Sequence, residues 1–451
     1  MIPGSRPVRR RVARPLAAAG GLVLAACLAA CGTTTPSPVI TPSPTATPTP
    51  TATATAAISV APSTTSSASV VPLTIVPVPT SRFATPGPSS ANLTPTAAAA
   101  LQKELDAIRV GRSYPGVSAA IVYPDGSIWT GQSGMAILSP QTPVTADTLF
   151  SIGSISKTFV AAMVGRLAMR GTIGLDDPLS KYLPDYPNAS NISLREMLNH
   201  TSGIKDPFAD PDMAAAILAN PGQPWTTAQV LSWIGKPYFP PGTGYHYSNS
   251  NFILLGQVVE KVTGKSLASL VRSEFLTPLG LSHTFLQTEE TVQGSKAHGY
   301  MSPPARPRDN SAGTMIPFTA EATAFGPAGA FVSTSADLAR WASALYGGDV
   351  LDQATLAAMV DISPTSPYIT KPNRVYGLGF EETTIAGQVA WGHVGYLDGF
   401  FSAMEYLPAS HVSIVVLENA DNANWGDPIG AAAKLAKIAL GPAPTASSSP
   451  S

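Results

Sequence analysis

The chain has 451 residues, 44% of them hydrophobic, and 27 Lys and Arg against 28 Asp and Glu give a formal charge of −1. Near-neutrality removes the electrostatic case for a nucleic-acid partner or for a charged face held against a membrane. Two cysteines cannot make a disulfide scaffold, and six histidines without ligand spacing predict neither a metal site nor a cofactor.

The N-terminus carries Arg6, Arg9, Arg10, Arg11 and Arg14, then an apolar stretch from Leu16 to Ala30. Basic, apolar, then small residues is the order of an export signal, and the stretch is short of the roughly 20 residues of a spanning helix. Leu28-Ala29-Ala30-Cys31-Gly32 has the form of a bacterial lipobox, so residues 1–31 read as a lipoprotein signal with Cys31 the lipidated residue; Cys27 closes an equivalent motif four residues earlier. The expected location is the extracytoplasmic face of a bacterial cell membrane, held there by the lipid. Residues 32–93 are Pro, Thr, Ser and Ala with almost no charge, too poor in apolar side chains to offset the entropy of ordering, and predict a disordered tether. The tail, 441–451, has the same character. Residues 94–440 remain as one domain, expected to be a monomer.

Within that domain Thr94-Pro95 reads as a helix cap and first turn, followed by a helical stripe of Leu101, Leu105 and Ile108. Val117–Tyr123, the turn Pro124-Asp125-Gly126 and Ser127–Gly131 read as a β-hairpin. From Ser154 to about Ala344 the pattern is mainly helical with Pro/Gly-rich loops. Strand-like runs return at Tyr376–Glu381, Phe400–Leu407 and His411–Glu418, and an Ala-rich helix spans Ile429–Leu440. Strands, helices, then strands predict an α+β fold: an antiparallel sheet flanked by terminal helices, with a helical subdomain inserted.

Ser154 and Lys157, in FSIGSISKTFVA, lie three residues apart and share one helix face. A serine hydroxyl becomes nucleophilic when a base takes its proton, and a lysine can be that base once burial or nearby positive charge lowers its pKa from about 10.4. Alone, the pair reads as an ordinary amphipathic helix with a capping serine. Tyr247-Ser248-Asn249 follows in a loop before a second apolar helix; a phenol can relay a proton, and Asn249 can hold Lys157 and donate to a substrate amide. Later, Gly392-His393-Val394-Gly395 precedes Tyr396, where a histidine and a glycine on an inner strand could form a site wall open to a substrate backbone. No G-x-S-x-G surrounds Ser154, which argues against the α/β-hydrolase solution. His200 in NHTSG reads as a loop-pinning residue, Asp176-Asp177-Pro178 as a helix-end turn, and Trp225, Trp233 and Trp341 as core, with Trp391 close enough to the histidine to be a candidate.

In that order, S-x-x-K, Y-S-N and H-x-G resemble the penicillin-recognising serine hydrolases, and most nearly the subgroup of class C β-lactamases, D-alanyl-D-alanine carboxypeptidases and related esterases. LNHTSG, YSNSNFILLGQVVEKVTG, AHGY, GPAGAFVSTSADLARW and YGLGFE extend the resemblance over Leu101–Leu440. It implies the β-lactamase/transpeptidase-like fold. It makes Ser154 the acylated nucleophile, Lys157 and Tyr247 the proton-transfer pair, and Asn249, His393, Val394 and Gly395 the substrate-side wall. The backbone N–H groups of Ser154 and Tyr396 become the oxyanion hole. The substrate is then a small molecule or peptide: first a D-alanyl-D-alanine stem peptide of the cell wall, otherwise an ester or a β-lactam. Val394 departs from the family pattern, since many members place a hydroxyl there to bind the substrate carboxylate; Arg306 or Arg308 is the nearest sequence candidate to replace it. A non-catalytic wall-binding or β-lactam-sensing lipoprotein is the reading from another class.

Overall fold

The computed structural model describes residues 93–301, 308–309, 311, 313–365, 367–368, 374–421 and 428–441. The export signal, Cys27, Cys31, the tether as far as residue 92, Arg306 and the tail after residue 441 lie outside the described residues.

Helix α1 (Pro95–Arg112) begins where the sequence places it. Thr94 accepts a hydrogen bond from Ala97 N at 3.1 Å, Pro95 takes the first helical position, and Ser113 closes the helix in a left-handed conformation. Its Leu101, Leu105 and Ile108 are buried. The strands β1 (Gly116–Val122), β2 (Ile128–Ile137), β3 (Thr142–Pro143), β4 (Val375–Tyr376), β5 (Glu381–Ile385), β6 (Gln388–Leu397), β7 (Phe400–Leu407) and β8 (Val412–Glu418) form one antiparallel sheet. Its order is β3-β2-β1-β8-β7-β6-β5-β4, so both ends of the domain's sequence meet where β1 pairs with β8.

Burial explains why β8 reads as an unbroken apolar run. Ile414 and Val416 face α1 and the C-terminal helix α5 (Pro428–Leu440), whereas Val415 and Leu417 face the inserted subdomain. A strand covered on both faces has no polar side to alternate. On the subdomain face lie α2 (Ser156–Met169), α3 (Asn249–Thr263) and α4 (Ser335–Tyr346). Phe159 of α2 stacks on Trp341 of α4 at 4.4 Å between ring centroids, and the indole donates to Thr158 Oγ1 at 2.9 Å. α4 is tied to the sheet by Ser118–Ser335 and by Ser413 donating to Ala339 O. α2 is thus held between sheet and subdomain, buried along nearly its whole length.

Two expectations need correction. The run Tyr376–Glu381 is not one strand: it breaks into β4 and β5 because Gly379 adopts φ +78°, a turn conformation that interrupts extended backbone. The second hairpin strand continues past Gly131 to Ile137, since pairing with β1 persists through Gly134. A strand within the helical stretch, Phe331–Ser333, pairs with Phe150–Ser151 just ahead of it, and this pairing fixes the chain immediately before Ser154.

Candidate active site

Ser154 sits in a single 3-10 turn, Gly153–Ile155, that leads into α2. It is partly exposed while Gly153, Ile155, Ser156 and Lys157 around it are buried, so the turn presents one hydroxyl to the solvent side. The turn is pressed against β6. Gly153 has φ +49°, and a Cβ there would stand 2.5 Å from Tyr396 N. A Cβ at Gly395 would stand 1.9 Å from Ile152 O, the carbonyl that also accepts the Ser402 hydroxyl at 3.0 Å. Gly395 was expected to let a substrate backbone approach; the backbone it admits is that of the nucleophile turn itself.

Lys157 follows one turn later and is fully buried. Its Nζ stands 2.9 Å from Ser154 Oγ, 2.7 Å from Asn249 Oδ1 and 2.8 Å from Ala328 O. Burial lowers its pKa to about 7, against the opposing pull of Asp206 and Glu381. The Asn249 amide is oriented by Asp206, whose Oδ2 accepts from Asn249 Nδ2 at 2.8 Å. A carboxylate only accepts, so the amide nitrogen must face it and Oδ1 must face the lysine. Asp206 also accepts from Phe208 N at 3.1 Å, and its own pKa is raised by burial. The sequence reading missed Asp206, which lies three residues beyond the NHTSG motif and carries no motif signal of its own.

Tyr247 presents a half-buried ring and a buried hydroxyl that has no hydrogen-bond partner among the described residues. Ser154 is near enough to act on the phenol, lowering its pKa against the larger effect of burial. Lys157 Nζ lies 4.9 Å from the ring centroid. Burial raises the phenol's pKa well above 10, so Tyr247 is a neutral acid and Lys157 the available base. Behind Tyr247, His200 packs ring to ring at 4.3 Å and accepts from Ser248 N at 3.2 Å and Asn251 Nδ2 at 3.1 Å, the loop-pinning role expected of it.

His393 is buried and engaged on both nitrogens. Nδ1 bonds the Val394 carbonyl, which makes it the protonated nitrogen, so Nε2 accepts from Tyr376 OH at 2.9 Å. Burial lowers its pKa to about 4, leaving it neutral. The imidazole and Tyr376 also back the Tyr247 ring, at 6.3 Å and 5.9 Å between centroids. Tyr376, which opens the YGLGFE motif, and the half-buried Tyr245 complete this aromatic wall, and the sequence reading missed both as site residues.

The free edge of β6 forms the facing wall. β5 pairs with β6 only as far as Glu381 opposite Gly392, so β6 runs on beyond its neighbour. Val394 N–H points to that side, at 3.4 Å from Glu381 Oε2. N–H groups two residues apart in a strand point the same way, so Tyr396 N–H projects from this edge towards Gly153 and Ser154. The N–H of Ser154 belongs to the same turn, at the opening of a helical segment. Val394 is half-buried on this wall and brings no polar group. Arg308 has its backbone in a short strand opposite Met301, and Trp391 is partly buried and bonded to Glu382. Among the described residues no group of three or more His, Cys, Asp or Glu is placed to hold a metal ion, and no helix is long and apolar enough to cross a membrane.

A serine beside a buried near-neutral lysine and a neutral phenol, on a sheet with an inserted helical subdomain, defines the class of the transpeptidase-like serine hydrolases. The Beta-lactamase family model matches residues 98–437, and the chain belongs to that family. It is 30% identical to the unguisins hydrolase of Aspergillus campestris over 68% of this chain and 58% of that protein, so the chain spans less than two thirds of that relative's length. It is 27% identical to a β-lactamase of Escherichia coli K12 over 69% of this chain and 85% of that one. Among solved structures, a D-stereospecific amidohydrolase from Streptomyces sp. aligns with TM-score 0.63 and 30% identity, covering 76% of this chain and 97% of the other. A D-amino acid amidase from Ochrobactrum anthropi SV3, complexed with L-phenylalanine, aligns with TM-score 0.66 and 28% identity over 76% and 97%.

Proposed function

We propose that the protein is an exported, lipid-anchored serine hydrolase that cleaves amide bonds of D-amino-acid peptides or amides through an acyl-enzyme on Ser154. One observation carries the catalytic assignment. Lys157 Nζ has three polar neighbours, and two of them, Asn249 Oδ1 and Ala328 O, can only accept. A neutral amine has two protons to give; both are taken, and its lone pair faces Ser154 Oγ at 2.9 Å.

In the reaction this implies, Ser154 Oγ bonds to the scissile carbonyl carbon while its proton passes to Lys157. The carbonyl oxygen takes the charge and lies between the N–H groups of Ser154 and Tyr396. The C–N bond then breaks: Tyr247 gives its proton to the leaving nitrogen and recovers one from the Lys157 ammonium. Water attacks the acyl-enzyme by the same path in reverse and restores Ser154. The D-configuration of the substrate is supported by the two solved structures aligned over most of this domain, a D-stereospecific amidohydrolase and a D-amino acid amidase. Export and anchoring are supported by the order of basic, apolar and small residues ending at Cys31.

The test is intact-mass spectrometry of the full chain after reaction with a fluorophosphonate, together with turnover of D- and L-alanyl p-nitroanilides, beside Ser154→Ala. A single adduct and D-selective release of nitroaniline, both abolished by the substitution, are expected. No adduct and no turnover in the unsubstituted protein would sink the proposal.

A further inference from the structure

We propose that Glu381 sets the leaving-group specificity of this site, favouring neutral or cationic leaving groups and rejecting those that carry a carboxylate next to the scissile bond. The inference rests on the acyl-transfer reading above and concerns which substrates that site accepts.

The geometry fixes where a leaving group must go. The carbonyl oxygen sits at Tyr396 N–H, and the leaving nitrogen must face Tyr247, its proton donor. Tyr247 stands against His393, so the leaving group extends back along β6 from Tyr396 towards Val394. On that stretch a carboxylate would need a cation, a hydroxyl or a free N–H. Val394 supplies no hydroxyl, His393 is neutral with both nitrogens occupied, and the N–H of Val394 is directed at Glu381 Oε2. The charge nearest the strand edge is therefore negative.

Arg374 is the competing consideration. Its Nη1 lies 3.3 Å from the same Glu381 oxygen, but its side chain is 39% exposed against 12% for Glu381, so the guanidinium is the outer partner and the carboxylate the inner one. Glu381 acts on both Lys157 and Tyr247, whereas Arg374 is felt only farther back, at His393, Tyr245 and Glu405. A substrate carboxylate arriving beside Val394 meets the field of Glu381 first. At a separation of about 7 Å and an effective dielectric of about 20, the carboxylate by itself would be worth on the order of fiftyfold in kcat/KM, an upper bound that the paired Arg374 guanidinium reduces. Amides, amines and alcohols as leaving groups escape it, and an ammonium gains from it.

The experiment compares two substrates that share an acyl group, D-alanyl-D-alanine and D-alanyl-D-alaninamide, on the unsubstituted protein, Glu381→Gln and Arg374→Gln. The amide is expected to exceed the free acid by roughly fivefold to fiftyfold in kcat/KM. Glu381→Gln should bring the ratio to within a few fold, and Arg374→Gln should widen it. A merely structural loss would lower both substrates together and leave the ratio unchanged, which would overturn the assignment. Equal or better turnover of the free acid by the unsubstituted protein would overturn it too. So would a loss of free-acid turnover in Arg374→Gln, which would make Arg374 a carboxylate anchor. Because the fluorophosphonate adduct needs no charged leaving group, its formation separates a failure here from a failure of the acyl-transfer reading itself.

Discussion

Replacing Asp206 with Asn tests how the general base is tuned. The Asp206 carboxylate holds Asn249 Nδ2 at 2.8 Å, and Asn249 in turn holds Lys157 Nζ at 2.7 Å, so the substitution removes a charge one bridging amide away from the base. At a separation of roughly 7 Å and an effective dielectric of about 20, the attraction is about 2.4 kcal/mol, or ~1.7 pKa units. Asp206 raises the Lys157 pKa, so its loss must lower it further, from about 7 to between roughly 5 and 6. Lysine is active as the free amine, so kcat/KM rises with pH through this value and the acid limb moves down. kcat itself should fall about tenfold, because Asn249 loses the acceptor-only partner that fixes its orientation. The assay is a pH profile of kcat/KM on an uncharged aryl ester or anilide, with the other groups around the lysine (Glu381, His200, His393 and Tyr247) left unchanged. An acid limb that stays in place or moves up would refute the assignment of that limb to Lys157.

Gly153→Ala places a Cβ 2.5 Å from Tyr396 N on backbone at φ +49°; a loss of ~2 kcal/mol or more is expected, with kcat/KM down about a hundredfold as the two oxyanion donors separate. Denaturant melts and steady-state rates check it, and wild-type rates in the variant would refute the oxyanion geometry. Ser402→Ala removes the donor to Ile152 O, which should cost about 1 kcal/mol and lower kcat more than it raises KM. Glu405 is buried between β6 and β8 with its pKa raised to about 8, chiefly by burial and then by Glu381, against the opposite effect of Arg374. The native state keeps a proton that the unfolded chain releases near pH 4.5, so stability is fully present below that value and falls as pH rises towards 8. Glu405→Gln should flatten the slope of Tm against pH across this window, and an unchanged slope would count against the buried, protonated carboxyl.

The fold was readable where one physical cause dominated. α1 announced itself by its cap and its stripe of Leu101, Leu105 and Ile108, and β8 by an apolar run too short for a helix and bounded by turn residues. What resisted reading was set by tertiary contact. No local pattern says that Gly379 will turn the chain between β4 and β5, or that Phe150–Ser151 will find Phe331–Ser333 nearly two hundred residues away. The short pairing matters, because it anchors the turn bearing Ser154.

The site divides along the same line. Ser154, Lys157, Tyr247 and Asn249 could be named through the family resemblance that their ordered motifs carry, and the structure brings them together within hydrogen-bonding range of the lysine or beside it. The sequence left open whether burial or nearby positive charge would lower the lysine's pKa. Burial does so alone. His200 and His393 are neutral, and the charged groups acting on Lys157 are Asp206 and Glu381, both carboxylates that oppose the shift. The base is therefore set by a balance in which desolvation exceeds the two carboxylates by enough to hold the amine near neutrality; Asp206 belongs to no motif, and Glu381 closes YGLGFE without having been read as a site residue. Asp206 acts through the orientation of Asn249, and Glu381 reaches the site because the pairing of β5 with β6 ends at Glu381, opposite Gly392, while β6 continues. The motifs thus identify which groups react. How basic the lysine is, and which leaving groups it meets, depends on two acids whose placement only the folded chain determines.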